Sequence, residues 1–204
     1  MTDPYMPALQ LWQKGNREEA ISIILKLVEE GDVYAHSILA RFYEIQGKHS
    51  EVRPLLETAA GAGEPKAQDH LGVLLFQEGD VNSAIEWWLA AANSGLSISM
   101  TRLGHAHMEK GDVENSIKWF RKAAQSGVPS YVFQLAVALA KVGQFDEAST
   151  VLLQAAENGS DDAMVYLGRI AEESENIHEA RSWYLKAAEL GHEEAKAMLS
   201  KFEE

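Results

Sequence analysis

Two closely spaced histidines, His105 and His107, suggest a metal-binding site. Imidazole nitrogens are common zinc ligands, but a site needs several of them on one side of the backbone. On a helix, residues two positions apart point about 200° away from each other. The spacing therefore predicts a structural role, with His105 facing inward and His107 facing elsewhere, and no shared metal ion.

A second histidine-containing segment runs from His192 through Glu193, Glu194 and Ala195 to Lys196. It begins like the zinc-protease motif His-Glu-x-x-His, in which two histidines one helical turn apart bind the metal. Lys196 occupies the position of the second histidine. No metal site and no cofactor are therefore predicted.

Four glutamates form an acidic patch toward the C-terminal end of the chain: Glu172, Glu173, Glu175 and Glu179. Paired carboxylates can act as general acid and base when apolar surroundings raise one pKa, but this run occupies a predicted loop and its flanks, where no such surroundings are expected. The glycines are single and periodic, whereas a phosphate-binding loop clusters them. The chain is therefore predicted not to be an enzyme. The patch is either a solvated turn or a docking surface for a basic partner.

These residues lie on a repeat with a period of 32 residues. Residues 84–95 return in changed form at 116–127, 148–159 and 180–191. Such self-similarity is the sequence signature of repeat architectures. The copies at 84, 116 and 180 carry an aromatic pair, whereas the copy at 148 has Val151 and Leu152 there.

Two interleaved glycine series divide each repeat into halves of 16 residues, which suits one helix and its turn. Glycine just past a helix end adopts the left-handed conformation that closes the last turn. One series is Gly31, Gly63, Gly95, Gly127, Gly159 and Gly191, and the other is Gly15, Gly47, Gly79, Gly111 and Gly143. Glu175 takes the glycine position in the sixth repeat, which predicts a looser or differently closed turn there. N-caps are predicted at Asn16, Asp80, Asp112 and Asn176.

The pattern predicts an all-α fold: an α-solenoid, wound as a right-handed superhelix, of six antiparallel helix pairs plus a C-terminal capping helix. Nothing in the sequence reads as a strand or a linker, so residues 1–204 are predicted to be one repeat domain. The predicted pairs cover about 3–31, 32–63, 64–95, 96–127, 128–159 and 160–191, and the capping helix covers about 193–202.

The third repeat, with Leu71-Gly72, Ala84, Trp88 and Ala91, resembles the tetratricopeptide repeat, and so does the fourth, at the same spacing. Residues 183–191, followed by Ala195 and Leu199, are similar to Sel1-like repeats. The period of 32 is shorter than in either family. Leucine, isoleucine and valine replace the aromatic pair in three repeats, which predicts aliphatic packing there.

In the resembled families, ligands lie along the concave face made by the first helix of each pair. The resemblance implies a partner-binding face made of Tyr34, Arg41, Asp69, His70, Phe76, Gln77, Arg102, His105, Met108, Phe133, Gln134, Tyr166, Arg169 and Glu172. Aromatic, Met and Arg residues favour protein interfaces. The alternative is that Phe76, Met108 and Phe133 pack between adjacent first helices.

The net charge of −13 is concentrated toward the C-terminal end and disfavours nucleic acid and anionic membranes. The chain has no cysteine and no apolar run long enough to span a membrane, so a cytoplasmic location is predicted. The predicted function is a non-catalytic scaffold that binds a protein or peptide in the concave groove. The alternative is an immunity-type inhibitor that neutralises a basic toxin through the acidic patch. The oligomeric state is left open.

Overall fold

The structure is a computed structural model that describes residues 3–201. In this range it contains thirteen α-helices and no strand. They are α1 Met6–Gln13, α2 Arg17–Glu29, α3 Val33–Ile45, α4 His49–Gly61, α5 Pro65–Gln77, α6 Val81–Asn93, α7 Ser97–Glu109, α8 Val113–Ala124, α9 Pro129–Lys141, α10 Phe145–Glu157, α11 Asp161–Glu173, α12 Ile177–Glu189 and α13 Glu193–Ser200. The predicted all-α class and the six consecutive helix pairs are confirmed. The end of the predicted last helix, at residue 202, lies outside the described residues.

The chain divides into two compact units, Met1–Ser99 and Met100–Glu204, and the division falls within α7. In each unit, helices that follow one another in sequence pack against one another: α1 to α6 in the first and α8 to α13 in the second. The single repeat domain stays a prediction. No helix in the described range is both long enough and apolar enough to cross a membrane.

The helix ends follow the glycine series, as the turn after α5 illustrates. Gly79 has a φ of 89° and donates its N–H to the carbonyl of Phe76 at 3.1 Å. The next N–H, that of Asp80, bonds to the carbonyl of Leu75 at 2.9 Å. This pair of hydrogen bonds closes the helix and turns the chain into α6.

Glu175 closes the turn after α11 in the same way, so the prediction of a looser or different turn there is wrong. Its N–H bonds to the carbonyl of Glu172 at 3.0 Å, and the N–H of Asn176 bonds to that of Ala171 at 2.8 Å. To make these bonds Glu175 adopts a φ of 58°, which is sterically unfavourable for a residue with a Cβ atom. The hydrogen bonds of the repeat therefore impose the left-handed conformation even without glycine.

Side-chain caps fix the starts of several second helices. Asp80 accepts the N–H of Ser83 at 3.2 Å, and Asp112 accepts that of Asn115 at 3.3 Å. The Asn176 side-chain oxygen accepts the N–H of Glu179 at 3.4 Å, and the Asn176 side-chain amide donates to the Glu179 carboxylate at 2.7 Å. Asn16 occupies the N-cap position of α2, as predicted, but its side chain makes no capping hydrogen bond in the described range.

Each pair is packed by a small residue on the first helix facing a large one sixteen residues later. A Cβ atom at Gly72 would lie 2.5 Å from Nε1 of Trp88, and one at Gly168 would lie 2.5 Å from the ring of Tyr184. Gly104 and Phe120 repeat this arrangement. Where the first helix has alanine, the partner position is aliphatic and at most 1% exposed, as the prediction of aliphatic packing required: Ile24, Leu56 and Leu152.

Candidate functional site

In the first unit, the predicted binding residues lie on the first helices α3 and α5. Tyr34 and Arg41, both exposed, belong to α3, and half-buried His70 belongs to α5. All three line one pocket between these two helices. The structure therefore brings together three of the predicted residues from two repeats.

Asp69 is buried, at 9% exposure, and links three helices. One of its carboxylate oxygens accepts a hydrogen bond from the Ser99 hydroxyl at 2.7 Å, and its backbone carbonyl accepts one from Nε1 of Trp88 at 3.1 Å. These bonds satisfy polar groups that would be costly to bury alone. Asp69 thus stabilises the helix packing and belongs to the buried interior of the first unit.

Phe76 and Gln77 end α5 in different surroundings. The Phe76 ring is half-buried, with its centroid 5.5 Å from that of Trp88. It therefore packs within its own helix pair, whereas the packing alternative placed it between adjacent first helices. Gln77 is exposed.

In the second unit, a small cleft brings together His105 and Met108 of α7 with Gln134 of α9. Phe120 and Lys141 also line this cleft. The third predicted residue of α7, Arg102, is half-buried. The cleft therefore contains three of the predicted residues.

His105 lies edge-on to Phe120, with 5.0 Å between ring centroids. Although the residue is exposed overall, desolvation of the ring is the largest effect on it and holds the pKa of His105 below its ordinary value. His107 is bonded separately, through Nδ1, to the Asp112 carboxylate at 3.0 Å. The two histidines thus have different partners. The described residues contain no group of three side chains that could hold a metal ion.

Phe133 of α9 and Tyr166 of α11 form an edge-to-face pair with ring centroids 5.9 Å apart. Both rings are half-buried and pack on the core of the second unit. The pair joins neighbouring first helices, as the packing alternative required, while part of each ring stays accessible. Met108 is likewise half-buried and packs against the core cluster that contains Phe120 and Leu139.

Two predicted residues of α11 are already engaged within the chain. The guanidinium of exposed Arg169 forms an ion pair with Glu194 of α13. Glu172 accepts a hydrogen bond from the Tyr184 hydroxyl at 2.8 Å. Burial, and then this bond, raises the pKa of Tyr184 above its ordinary value. A partner of Glu172 would therefore compete with Tyr184.

The acidic patch is smaller than the sequence indicates. Glu179 bonds to Asn176 and to Nε1 of Trp183 within its own helix, and Glu172 is held by Tyr184. Glu173 and Glu175 are exposed, and their carboxylates have no hydrogen-bonding or ionic partner within residues 3–201. Two of the four carboxylates are thus fully available.

Lys66 was missed by the sequence reasoning. It lines the same first-unit pocket as Tyr34, Arg41 and His70, and its ammonium lies 6.0 Å from the centre of the Tyr34 ring. A signal was present, because Lys66 stands 32 residues after Tyr34 and so holds the same place in the next repeat.

Models of known families match three parts of the chain. Tetratricopeptide repeat models match residues 98–126 and 133–195, and the Sel1 repeat model matches residues 65–96. Proteins with these repeats are generally scaffolds for protein interactions. No curated protein matches the chain in sequence.

Several solved structures share the fold at low sequence identity. A Sel1 repeat protein from Oxalobacter formigenes is 23% identical with a TM-score of 0.76, and the match covers 94% of this chain and 86% of that one. The pilF protein of Pseudomonas aeruginosa is 19% identical with a TM-score of 0.72, and the match covers 95% of both chains. YrrB, described as a TPR protein with an unusual peptide-binding site, is 18% identical with a TM-score of 0.60, and the match covers 87% of this chain and 97% of YrrB.

Proposed function

Because the chain is built of tetratricopeptide-like and Sel1-like repeats, we propose that it is a non-catalytic scaffold that binds a segment of a partner protein along its first helices. The observation that carries the proposal is the Phe133 and Tyr166 pair, an aromatic surface that two first helices share and leave partly open. Aromatic side chains in such a position are typical anchors of protein interfaces.

The mechanism follows from how the first helices are held. Gly168 on α11 packs directly against the Tyr184 ring, and Ala136 on α9 is fully buried, so both helices are fixed before a partner arrives. A surface that is ordered in advance loses little conformational entropy on binding. Most of the conformational entropy lost on binding is then lost by the partner segment.

The proposal is tested by affinity capture from a lysate of the source organism. The bait is the full chain, either wild-type or carrying Phe133→Ala and Arg169→Ala. A control bait carries Leu153→Ala and Gln154→Ala, which alter exposed residues of the second helix α10. We expect the same partner on the wild-type and control baits and its loss from the first variant. A partner retained equally by all three baits would contradict the proposal.

The alternative function is an inhibitor that covers a basic toxin through the acidic patch. The observation favouring it is that Glu173 and Glu175 are exposed and that their carboxylates have no partner within residues 3–201. If the patch dominates, moderate salt should release the partner and Glu173→Lys with Glu175→Lys should abolish capture, since exposed charges are screened by salt. A cytoplasmic place of action stays a prediction for both functions.

A further inference from the structure

We propose that the second unit has a further docking surface, at its turn edge, for a partner segment in which apolar and basic residues stand side by side. The turn edge consists of the two turns that lead from α9 to α10 and from α11 to α12, with their flanking residues: 141–147 and 172–179. Its apolar anchors are Val142, Phe145 and Ile177. The proposed function uses the first helices, and this edge adds a second surface to them.

The two turns lie at the same edge of the second unit. Phe133 of α9 and Tyr166 of α11 are in edge-to-face contact, so these first helices run side by side. They run in the same direction, because an antiparallel second helix separates them in sequence. Phe145 and Ile177 are each the first residue of the helix that follows, 32 residues apart. They therefore hold the same place in adjacent repeats, along one edge.

The apolar side chains of this edge are exposed. Phe145 is 66% exposed, more than any other large apolar side chain within residues 3–201, and Ile177 and Val142 are 48% and 41% exposed. The Phe145 ring lies beside its own turn, since a Cβ atom at Gly143 would be 3.9 Å from Cε2 of the ring. Single exposed apolar residues need no explanation, whereas a group of them marks an interaction surface. Covering these side chains would remove apolar area from water.

The fold itself does not require an exposed apolar residue at this place. Other repeats have a polar or a half-buried residue at the first position of the second helix: Arg17, His49, Val81 and Val113. Phe145 and Ile177 are therefore a feature of the last two repeats, and repeat packing does not account for them.

The turn edge is acidic. Residues 141–147 and 172–179 contain six carboxylates and one ammonium, that of Lys141. Arg181, one helical turn after Ile177, is the next cation along α12, and α10 has neither lysine nor arginine. An excess of negative charge therefore remains when the neighbouring cations are included.

Most of these carboxylates are not neutralised within the chain. Glu147 forms an ion pair with Arg121 at 2.6 Å. Glu172 and Glu179 are hydrogen-bonded to neutral side chains and keep their charge. Three further carboxylates have no partner within residues 3–201: those of Asp146, Glu173 and Glu175. Lysine or arginine residues of a partner would supply the missing positive charge.

An apolar centre with an acidic border selects one kind of segment. A purely apolar segment would desolvate the carboxylates without pairing them, which is costly. A purely basic segment would leave Phe145 and Ile177 in water. Nucleic acid and anionic lipid would be repelled by the carboxylates. A protein segment that combines basic and apolar residues satisfies both parts of the surface.

The test is an NMR titration of the full-length, ¹⁵N-labelled chain with the peptide acetyl-Ala-Lys-Leu-Lys-Lys-Leu-Lys-Ala-amide. We expect saturable shifts at the backbone amides of residues 142–147 and 173–179. One control peptide has serine in place of leucine and the same charge, and a second has glutamine in place of lysine and the same leucines. Each should bind at least about ten-fold more weakly, because one half of the contact is lost.

Two protein variants with the same chemical change assign the apolar anchors. Phe145→Gln with Ile177→Gln should weaken binding at least about ten-fold. The matched control is Leu153→Gln with Leu185→Gln, which changes residues of the same two helices that are 43% and 51% exposed. It should leave binding within about two-fold, since these side chains lie two turns further along α10 and α12. The melting temperatures of the two variants show that both remain folded.

A second pair of variants assigns the charges. Glu173→Gln with Glu175→Gln should weaken binding at least about five-fold at low salt, because two unpaired carboxylates are removed. Glu157→Gln with Glu189→Gln removes the same charge from exposed residues at the far ends of α10 and α12. This control should leave binding within about two-fold.

Equal affinity for the serine peptide, or an unchanged affinity in Phe145→Gln with Ile177→Gln, would overturn the inference, because charge alone would then account for binding. Equal affinity for the glutamine peptide would overturn it from the other side. So would the absence of saturable shifts at about 1 mM peptide. None of these results bears on the scaffold function, since capture through Phe133 and Arg169 tests the first helices.

Discussion

The indole of Trp88 occupies the space that a side chain at Gly72 would need, with its Nε1 2.5 Å from where a Cβ atom of residue 72 would lie. The same nitrogen donates to the carbonyl of Asp69 at 3.1 Å, so the ring cannot shift without losing a buried hydrogen bond. The small residue and the large one are therefore a single packing unit.

We expect Gly72→Ala to lower the free energy of unfolding by about 1–3 kcal/mol, because overpacking outweighs the higher helix propensity of alanine. Combining it with Trp88→Leu should relieve the clash, so the double variant should be more stable than the two separate losses predict, by about 1 kcal/mol. Urea denaturation of the four proteins measures this coupling.

Gly61→Ala is the matched control, because Gly61 is also helical but has no atom within 4 Å of where its Cβ atom would lie. It should be neutral or stabilise the chain by up to about 1 kcal/mol. A Gly72→Ala variant as stable as Gly61→Ala would show that the Trp88 contact does not constrain position 72.

At the turn after α11, a substitution is predicted to stabilise the protein. Glu175 has a φ of 58°, whereas Gly79 has the same place in its repeat without a side chain. Glu175→Gly should raise the free energy of unfolding by about 1 kcal/mol, since the left-handed conformation is unfavourable for glutamate. Gly79→Ala should lower it by a similar amount. Thermal unfolding of both variants, compared with the wild type, tests these two predictions. A loss of stability in Glu175→Gly would contradict the steric account.

The positions of the helix ends could be predicted from the sequence, because one glycine or one N-cap residue in each half-repeat marks where a helix ends or begins. Glu175 shows the limit of that signal, since the backbone bonds of the neighbouring residues, and not the residue type, determine its conformation. The Gly72 and Trp88 unit explains the exchange of aromatic for aliphatic residues in other repeats. In those repeats alanine takes the place of glycine, and the residue sixteen positions later is a buried aliphatic one in the same core cluster, as at Ala136 and Leu152.

The site was less predictable because its roles depend on contacts between repeats. Its position in the repeat predicts that Asp69 lines the groove, yet Asp69 is buried and its carboxylate accepts a hydrogen bond from Ser99, thirty residues away. Glu172 likewise is held by Tyr184. Arg41 fits the predicted surface because it finds no ionic partner within residues 3–201.

His105 should titrate below the ordinary histidine range. Desolvation of its ring is the main cause, and Lys141 adds to the shift while Glu109 opposes it. Histidine NMR shifts followed against pH should therefore show a higher pKa for His105 in Lys141→Gln and a lower one in Glu109→Gln. Assignment comes from the signal lost in His105→Gln. Shifts in the reverse directions would contradict the electrostatic account.

The lowered pKa of His105 also fixes the sign of its effect on stability. The unfolded chain takes up this proton first as pH falls below about 6.5. The contribution of neutral His105 is therefore fully present above that pH and is lost as pH falls through the folded-state pKa. His105→Gln should make the unfolding free energy less dependent on pH in this window, which chemical denaturation at several pH values measures.

The most direct test of the central claim is site-specific photo-crosslinking in the source organism. A benzophenone amino acid replaces Tyr166, where an aromatic ring already packs edge-to-face on Phe133, or Leu185, a residue of α12 that is 51% exposed. The account predicts a crosslinked partner from position 166 and none from position 185. Crosslinks from position 185 alone would place the working surface on the second helices and contradict it.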